Sequence, residues 1–228
     1  IKPWEDLTAI REIRGVLRKI NPDLLAAHSS KAGLLGRVAG RSLGIPTTFT
    51  VHGWAFTEGV PGVQRHIYTW LEKAAAPLAT RIITVSDFDR NLALRQGITS
   101  PEKLVTIHNG VLDIPASLWA KPSEQSPRLI MIARFGQQKD HHTLLKSLAR
   151  LQDLEWEIDL VGDGPLRPQF EEMVSGLGLT PRVNFLGERK DVAELLARTQ
   201  IFLLISNWEG FPLSILEACL LYTSPSPR

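Results

Sequence analysis

One cysteine, Cys219, stands among 228 residues, so no internal disulfide can form. That fits a reducing compartment such as the cytoplasm. Charge of one sign is scarce too: 26 Lys and Arg against 24 Asp and Glu leave a formal charge of +2. So small a surplus gives no electrostatic case for nucleic acid. No apolar run approaches the roughly 20 residues that span a bilayer. The opening stretch Ile1-Lys2-Pro3-Trp4-Glu5-Asp6 lacks the apolar core of a secretory signal. Its start at Ile rather than Met points to sequence upstream. No segment repeats at a fixed period. No His, Cys and Asp cluster has metal-ligand spacing, so neither a metal nor a cofactor is expected. A Gly-x-Ser-x-Gly elbow is also missing. What remains is 43% hydrophobic and 22% charged, an ordinary composition for a chain that buries a core.

Helical and strand-like patterns alternate along the chain, which signals βα units and parallel sheets. Helices are expected over 8–20, 31–43, 64–76 and 88–96, and strands over 24–27, 47–51, 81–85 and 103–108. Ser86-Asp87 can cap the fourth helix. Residues 114–127 carry Pro115, Pro122 and Pro127 without periodicity and read as a linker. The alternation then restarts, with strands over 129–133, 157–161, 183–186 and 201–205 and helices over 140–151, 166–177, 191–198 and 212–221. The expected organisation is therefore α/β, with Rossmann-like doubly wound domains over 1–113 and 128–221 and a tail over 222–228. In such sheets ligands lie at the carboxyl ends of the strands. The helix over 8–20 carries Arg11, Arg14, Arg18 and Lys19. Packing on a sheet explains it, and contact with an anionic membrane is the alternative. Cys219, between Ala218 and Leu220, is expected to be a small buried side chain.

Several strand-end constellations carry chemistry. Ser206 to Ala218 follows an apolar run and opens a helix, where free amides attract anions. Gly210 permits close backbone approach, and Pro212 suits a first helical turn. Glu209 and Glu217 are able to accept hydrogen bonds from sugar hydroxyls, or else serve as a cap and a solvated side chain. Arg134 and Lys139 place two cations after a strand, suited to a diphosphate or simply lying on the surface. Gly162-Asp163-Gly164-Pro165 reads as a tight βα turn, because it lacks both the Lys-Ser/Thr ending of a P-loop and the three-glycine dinucleotide fingerprint. His52 ends the β-branched run over 47–51; a substrate contact, proton transfer and a structural turn role all remain open. His28 and His108 sit at similar strand ends.

In order, Arg134 and Lys139, Val161-Gly162-Asp163-Gly164-Pro165, Val183-Asn184-Phe185-Leu186-Gly187 and the Glu209/Glu217 pair enclosing Gly-Phe-Pro-Leu resemble the second domain of family 4 retaining glycosyltransferases of the GT-B fold. Val51-His52-Gly53, Ile83-Thr84-Val85-Ser86 and Ile107-His108-Asn109-Gly110-Val111 resemble the acceptor domain of that family. The resemblance implies two facing Rossmann-like domains, both incomplete here. The family's opening strand and glycine-rich loop are missing, and the tail after Leu221 departs from its pattern. It implies that Arg134 and Lys139 bind the donor diphosphate and stabilise the leaving group. Glu209 with Gly210, Phe211, Pro212 and Leu213 would hold the donor sugar, Glu217 the ribose, and Gly187 to Arg189 the surroundings of the base. His52, Glu209, Arg134 and Lys139 form the implied catalytic set. The donor would be a UDP- or GDP-sugar and the acceptor a hydroxyl on a glycan or lipid-linked sugar of a bacterial surface polysaccharide. That chemistry belongs to the cytoplasm or to peripheral contact with the inner face of the membrane. A nucleotide-sugar epimerase or hydrolase of the same architecture is one alternative. A non-catalytic nucleotide-binding fragment is another.

Overall fold

The computed structural model describes residues 3–57, 60–113, 115, 119 and 127–222. Most of the expected linker over 114–127 and the tail after Tyr222 lie outside the described residues. The chain divides into two compact units, Ile1–Asn109 and Gly110–Arg228.

The first unit holds α1 (Pro3–Ile20), β1 (Leu25–His28), α2 (Ser30–Ser42), β2 (Thr47–Val51), α3 (Gly62–Ala75), β3 (Arg81–Thr84), α4 (Asp87–Arg95) and β4 (Leu104–Thr106). Its strands are parallel in the order β1-β2-β3-β4. Phe49 and Val51 of β2, with Trp54, Phe56, Ile82 and Ala93, form its core. Glycines let α2 lie close on the sheet: a Cβ at Gly33 would fall 2.3 Å from the Phe49 ring, and one at Gly40 2.3 Å from Thr47 Oγ1. Between them Arg37 is fully buried. Its Nη2 donates to Glu72 Oε2 of α3 at 2.8 Å, its Nε donates to Gly33 O at 2.9 Å, and its guanidinium stacks 4.2 Å from the Phe49 ring centroid. Desolvation pushes the Glu72 carboxyl up despite the pull of Arg37. The expected cap of α4 is present: Ser86 Oγ accepts from Asp89 N at 3.1 Å and donates to Asp89 Oδ2 at 2.8 Å. The basic helix α1 packs mainly on α2 rather than directly on the sheet. A 2.8 Å Asp6–Lys31 pair joins the two helices.

The second unit holds β5 (Arg128–Ile132), α5 (His141–Leu148), β6 (Glu157–Val161), α6 (Arg167–Gly176), β7 (Val183–Gly187), α7 (Val192–Ala197), β8 (Ile201–Phe202) and α8 (Leu213–Tyr222). Its parallel sheet runs β7-β6-β5-β8, so the strand order reverses at β5. Alternation along β5 sorts the helices onto two faces. Leu129 and Met131 pack with Leu144, Leu145, Leu148, Phe170 and Val174 of α5 and α6. Ile130 packs with Leu195, Leu196, Ala218 and Leu221 of α7 and α8. That second cluster corrects the expectation for Cys219. Ala218 and Leu221 occupy the buried side of α8, and Cys219 is turned outward and exposed.

Candidate active site

The loops after β5 and β8 flank the point where the strand order reverses, the position at which an open α/β sheet forms a crevice. Phe135 anchors the first loop. It is fully buried and stacks on His141 with ring centroids 4.3 Å apart, with Phe170 and Phe185 also against it. Burying one such ring contributes about 1.5–3 kcal/mol. Arg134, its neighbour, is thereby turned outward and exposed, and its guanidinium has no hydrogen-bond or ion-pair partner among the described residues. Asp140 closes the loop by capping α5, accepting from Thr143 N at 3.0 Å, and that bond holds its carboxyl below the usual range.

Arg134 opens into a cleft of about 650 Å³ at the carboxyl ends of β5, β6 and β7. Ala133, Gly162, Asp163, Gly164 and Arg189 share its lining. Gly162 has φ +130°, and a Cβ there would lie 2.3 Å from Ala133 O, so the cleft floor admits only glycine at that point. Gly187, at φ +68°, accepts from Gly162 N at 2.8 Å and closes the β7 end. Arg189 is exposed and held in a two-point pair with Asp191, at 2.8 Å through Nε and 2.5 Å through Nη2. The guanidinium draws the Asp191 carboxyl below its ordinary range. A second depression of about 520 Å³ lies around Arg128, Trp156, Glu157 and Arg182. Its cations are already engaged: Arg128 faces Glu157 at 3.4 Å, and Arg182 donates to Leu154 O at 2.6 Å.

Lys139 and Glu209 do not line the 650 Å³ cleft. They form an ion pair with each other, and Glu209 also accepts from Ser206 Oγ and, at 3.3 Å, from Gln138 Nε2. Two backbone bonds and one from a side chain zip the two loops around this pair. Asp140 N donates to Ile205 O at 2.9 Å, Asn207 N donates to Gln138 O at 2.8 Å, and Gln138 Nε2 donates to Trp208 O at 2.8 Å. Gly210, Phe211 and Pro212 continue from Glu209 to the start of α8, where Leu213 is 49% exposed. Glu217 is half-buried on α8, its carboxylate without a hydrogen-bond partner among the described residues, and desolvation raises that carboxyl.

In the first unit, His52 directly follows β2 beside a pocket of about 230 Å³ formed with Ser29, Ser30, Phe49 and Trp54. The parallel register of β1 and β2 brings His28 alongside. His28 Nδ1 and His52 Nε2 lie 3.0 Å apart with the rings stacked. Burial, and then the charge of His28, lower the His52 pKa. Sequence reasoning noted His28 but not this pairing; the signal was that one histidine closes β1 and the other directly follows the neighbouring β2. It also missed Phe135 and His141 as the anchor of the Arg134 loop.

Residues 2–110 match the family described as Glycosyl transferase 4-like domain, and residues 116–223 match Glycosyl transferases group 1. The chain belongs to the glycosyltransferases that combine these two domains. It is 31% identical over 231 residues to the UDP-Gal:alpha-D-GlcNAc-diphosphoundecaprenol alpha-1,3-galactosyltransferase of Escherichia coli, covering 94% of this chain and 59% of that protein. It is 29% identical over 244 residues to the N,N'-diacetylbacillosaminyl-diphospho-undecaprenol alpha-1,3-N-acetylgalactosaminyltransferase of Campylobacter jejuni, covering 96% and 62%. The crystal structure of Anabaena HepE in complex with UDP and glucose superposes with a TM-score of 0.75 at 23% identity, covering 93% of this chain and 60% of that one. That likeness shows the fold: two Rossmann-like units of the GT-B type. The chain spans about 60% of the length of the curated relatives it matches.

Proposed function

We propose that the parent protein transfers a sugar, with retention of configuration, from a nucleotide-diphosphate sugar to a hydroxyl of a glycan or lipid-linked acceptor in bacterial surface polysaccharide synthesis. The observation that carries this reading is the outward Arg134, its guanidinium unpaired among the described residues, in a glycine-floored cleft at the carboxyl ends of β5, β6 and β7, beside the switch point of the second sheet. An exposed guanidinium offers a forked contact to phosphate oxygens. The names of relatives that use UDP-galactose and undecaprenyl diphosphate sugars, and of a fold neighbour that holds UDP, support the donor and acceptor classes.

In this reading Arg134 binds the diphosphate, and Arg189 borders the nucleoside side of the cleft. Lys139 and Glu209 act as a preorganised pair, the ammonium directed to the departing phosphate and the carboxylate to sugar hydroxyls. Glu217 binds the ribose, which supplies the partner that its half-buried carboxyl lacks. As the bond from the sugar C1 to the diphosphate breaks, negative charge grows on the leaving oxygens, and fixed cations stabilise that charge most in the transition state. The acceptor hydroxyl forms the new bond to C1 from the same face, and its proton leaves on the phosphate. No protein nucleophile and no metal is assigned to this step. His52 is assigned to a substrate hydroxyl.

Calorimetric titration of the chain with UDP, GDP and ADP tests the donor assignment. One nucleotide is expected to bind with saturation, and Arg134→Ala is expected to weaken it about tenfold or more, the loss of a charge-assisted contact. Equal affinity in the Arg134→Ala protein would remove Arg134 from the diphosphate site.

A further inference from the structure

Three phenylalanines gather under the loop that follows β5, and a histidine sits among them. His141 is 1% exposed. Its ring stacks on Phe135 at 4.3 Å and lies 5.3 Å from the centroid of Phe170. Phe185 closes on Phe135 from β7 at 5.7 Å. A fourth phenylalanine would fill this place with no nitrogen to desolvate. What the histidine adds is a hydrogen bond: its Nδ1 lies 3.1 Å from Lys139 O. A carbonyl oxygen only accepts, so Nδ1 carries the hydrogen and Nε2 is the bare nitrogen of the neutral ring. The same carbonyl accepts from the His141 backbone N at 2.9 Å. Both bonds land on the peptide of Lys139, whose ammonium is paired with Glu209. The ring therefore ties the anchor of Arg134, at one end of the loop, to the backbone of Lys139 at the other.

We propose that His141 is the positioning residue of the donor loop: its Nδ1–H holds the Lys139 carbonyl and so aims the Lys139 ammonium, while its ring face seats Phe135 and so aims Arg134. This rests on the assignment of Arg134 and Lys139 to the donor diphosphate. His141 is buried beneath the loop and acts through those two cations. The arrangement also makes the loop acid-sensitive. A second proton would have to enter at Nε2 of a ring enclosed by Phe135 and Phe170. Burial accordingly lowers the His141 pKa, although the bond to Lys139 O and the charge of Asp140 pull it up; the Lys139 charge opposes protonation. His142 follows on α5, and α6 presents the ring of Phe170. A lowered histidine pKa supports the folded loop above the ordinary histidine value and withdraws that support as pH falls through the lowered one.

Two variants separate the hydrogen bond from the packing. His141→Phe keeps an aromatic ring and loses the donor. His141→Asn keeps an N–H in the place of Nδ1 and cannot take up a proton. Denaturant unfolding first shows that each is folded; calorimetry then compares them with the unaltered chain, using whichever of UDP, GDP and ADP binds. At neutral pH His141→Phe is expected to bind about three- to tenfold more weakly, the loss of one hydrogen bond, and His141→Asn to recover most of that. The affinity of the unaltered chain divided by that of His141→Asn cancels the nucleotide's own titration. This ratio should fall as pH is lowered through the His141 value, because only the unaltered chain gains a charge there. Folded His141→Phe that binds as tightly as the unaltered chain would overturn the proposal, and so would a ratio that ignores pH. Ring-nitrogen and amide NMR of the nucleotide-free chain tests the same positioning without a ligand. The hydrogen of the neutral ring should reside on Nδ1, and the amides of Arg134, Lys139 and Asp140 should titrate together with the ring. If those shifts appear and no nucleotide binds, the positioning stands and the donor assignment falls. Amides that stay still while the ring titrates would overturn the positioning.

Discussion

Arg134 reaches solvent because Phe135 beside it does not. Phe135→Ala would empty a fully buried site, cost about 3–5 kcal/mol and loosen the loop that presents Arg134; denaturant unfolding checks the cost. The strand-to-helix position of Arg134 was legible in the sequence. The pairing of Lys139 with Glu209 was not, since the partners lie 70 residues apart and meet only when the two loops zip together. Glu217 gives a prediction with a definite sign. Its folded pKa is raised, so its contribution to stability is full below the ordinary glutamate range and is lost as pH rises through the folded value. Glu217→Gln should therefore stabilise the chain at neutral pH while weakening nucleotide binding. Unfolding curves at acid and neutral pH test this, and a variant destabilised equally at both would contradict it. His52 runs the other way: a lowered histidine pKa favours the fold above the ordinary histidine value and withdraws that support as pH falls through the lowered one. His28→Asn should move the His52 titration part of the way back up in imidazole NMR, leaving the share due to burial. An unmoved titration would show that the two rings are not electrostatically coupled.

Element boundaries followed the periodicity where burial is one-sided and departed from it where tertiary pairing intervened. The strand over 47–51 was predicted at its observed limits, because β-branched residues alternate there between buried and half-buried positions. The strand expected over 201–205 is only Ile201–Phe202. Beyond Leu203 the chain leaves β5, and Ile205 and Ser206 pair instead with the loop around Lys139. An apolar run cannot announce that exchange of partners. The glycines of α2 were legible only as helix residues, since their use depends on how near the sheet lies. Gly33→Leu would drive a side chain into the Phe49 ring and cost at least the roughly 1–3 kcal/mol of an overpacked core. The Arg37–Glu72 pair on α2 and α3 went unnoticed because charged residues are read as surface. Glu72→Ala, which strands a buried guanidinium, should cost about 3–5 kcal/mol in equilibrium unfolding.

At the scale of the molecule, two parallel sheets with separate cores were foreshadowed by two runs of βα alternation, and the strand order that creates the crevice was not. Order depends on which strands pair across the chain, and the reversal at β5 emerges from β8 returning beside it rather than beyond β7. That reversal puts the loops of Arg134 and Glu209 on either side of one point, and it is the basis for assigning nucleotide binding to the second unit. Amide NMR of the isotopically labelled chain, titrated with UDP, GDP and ADP, tests this assignment most directly. One nucleotide should shift Ala133, Arg134, Gly162, Gly164 and Arg189, with Glu209 and Gly210 following, and Arg134→Ala should suppress the response. Shifts centred on Arg128, Glu157 and Arg182, or confined to the first unit, would contradict the account.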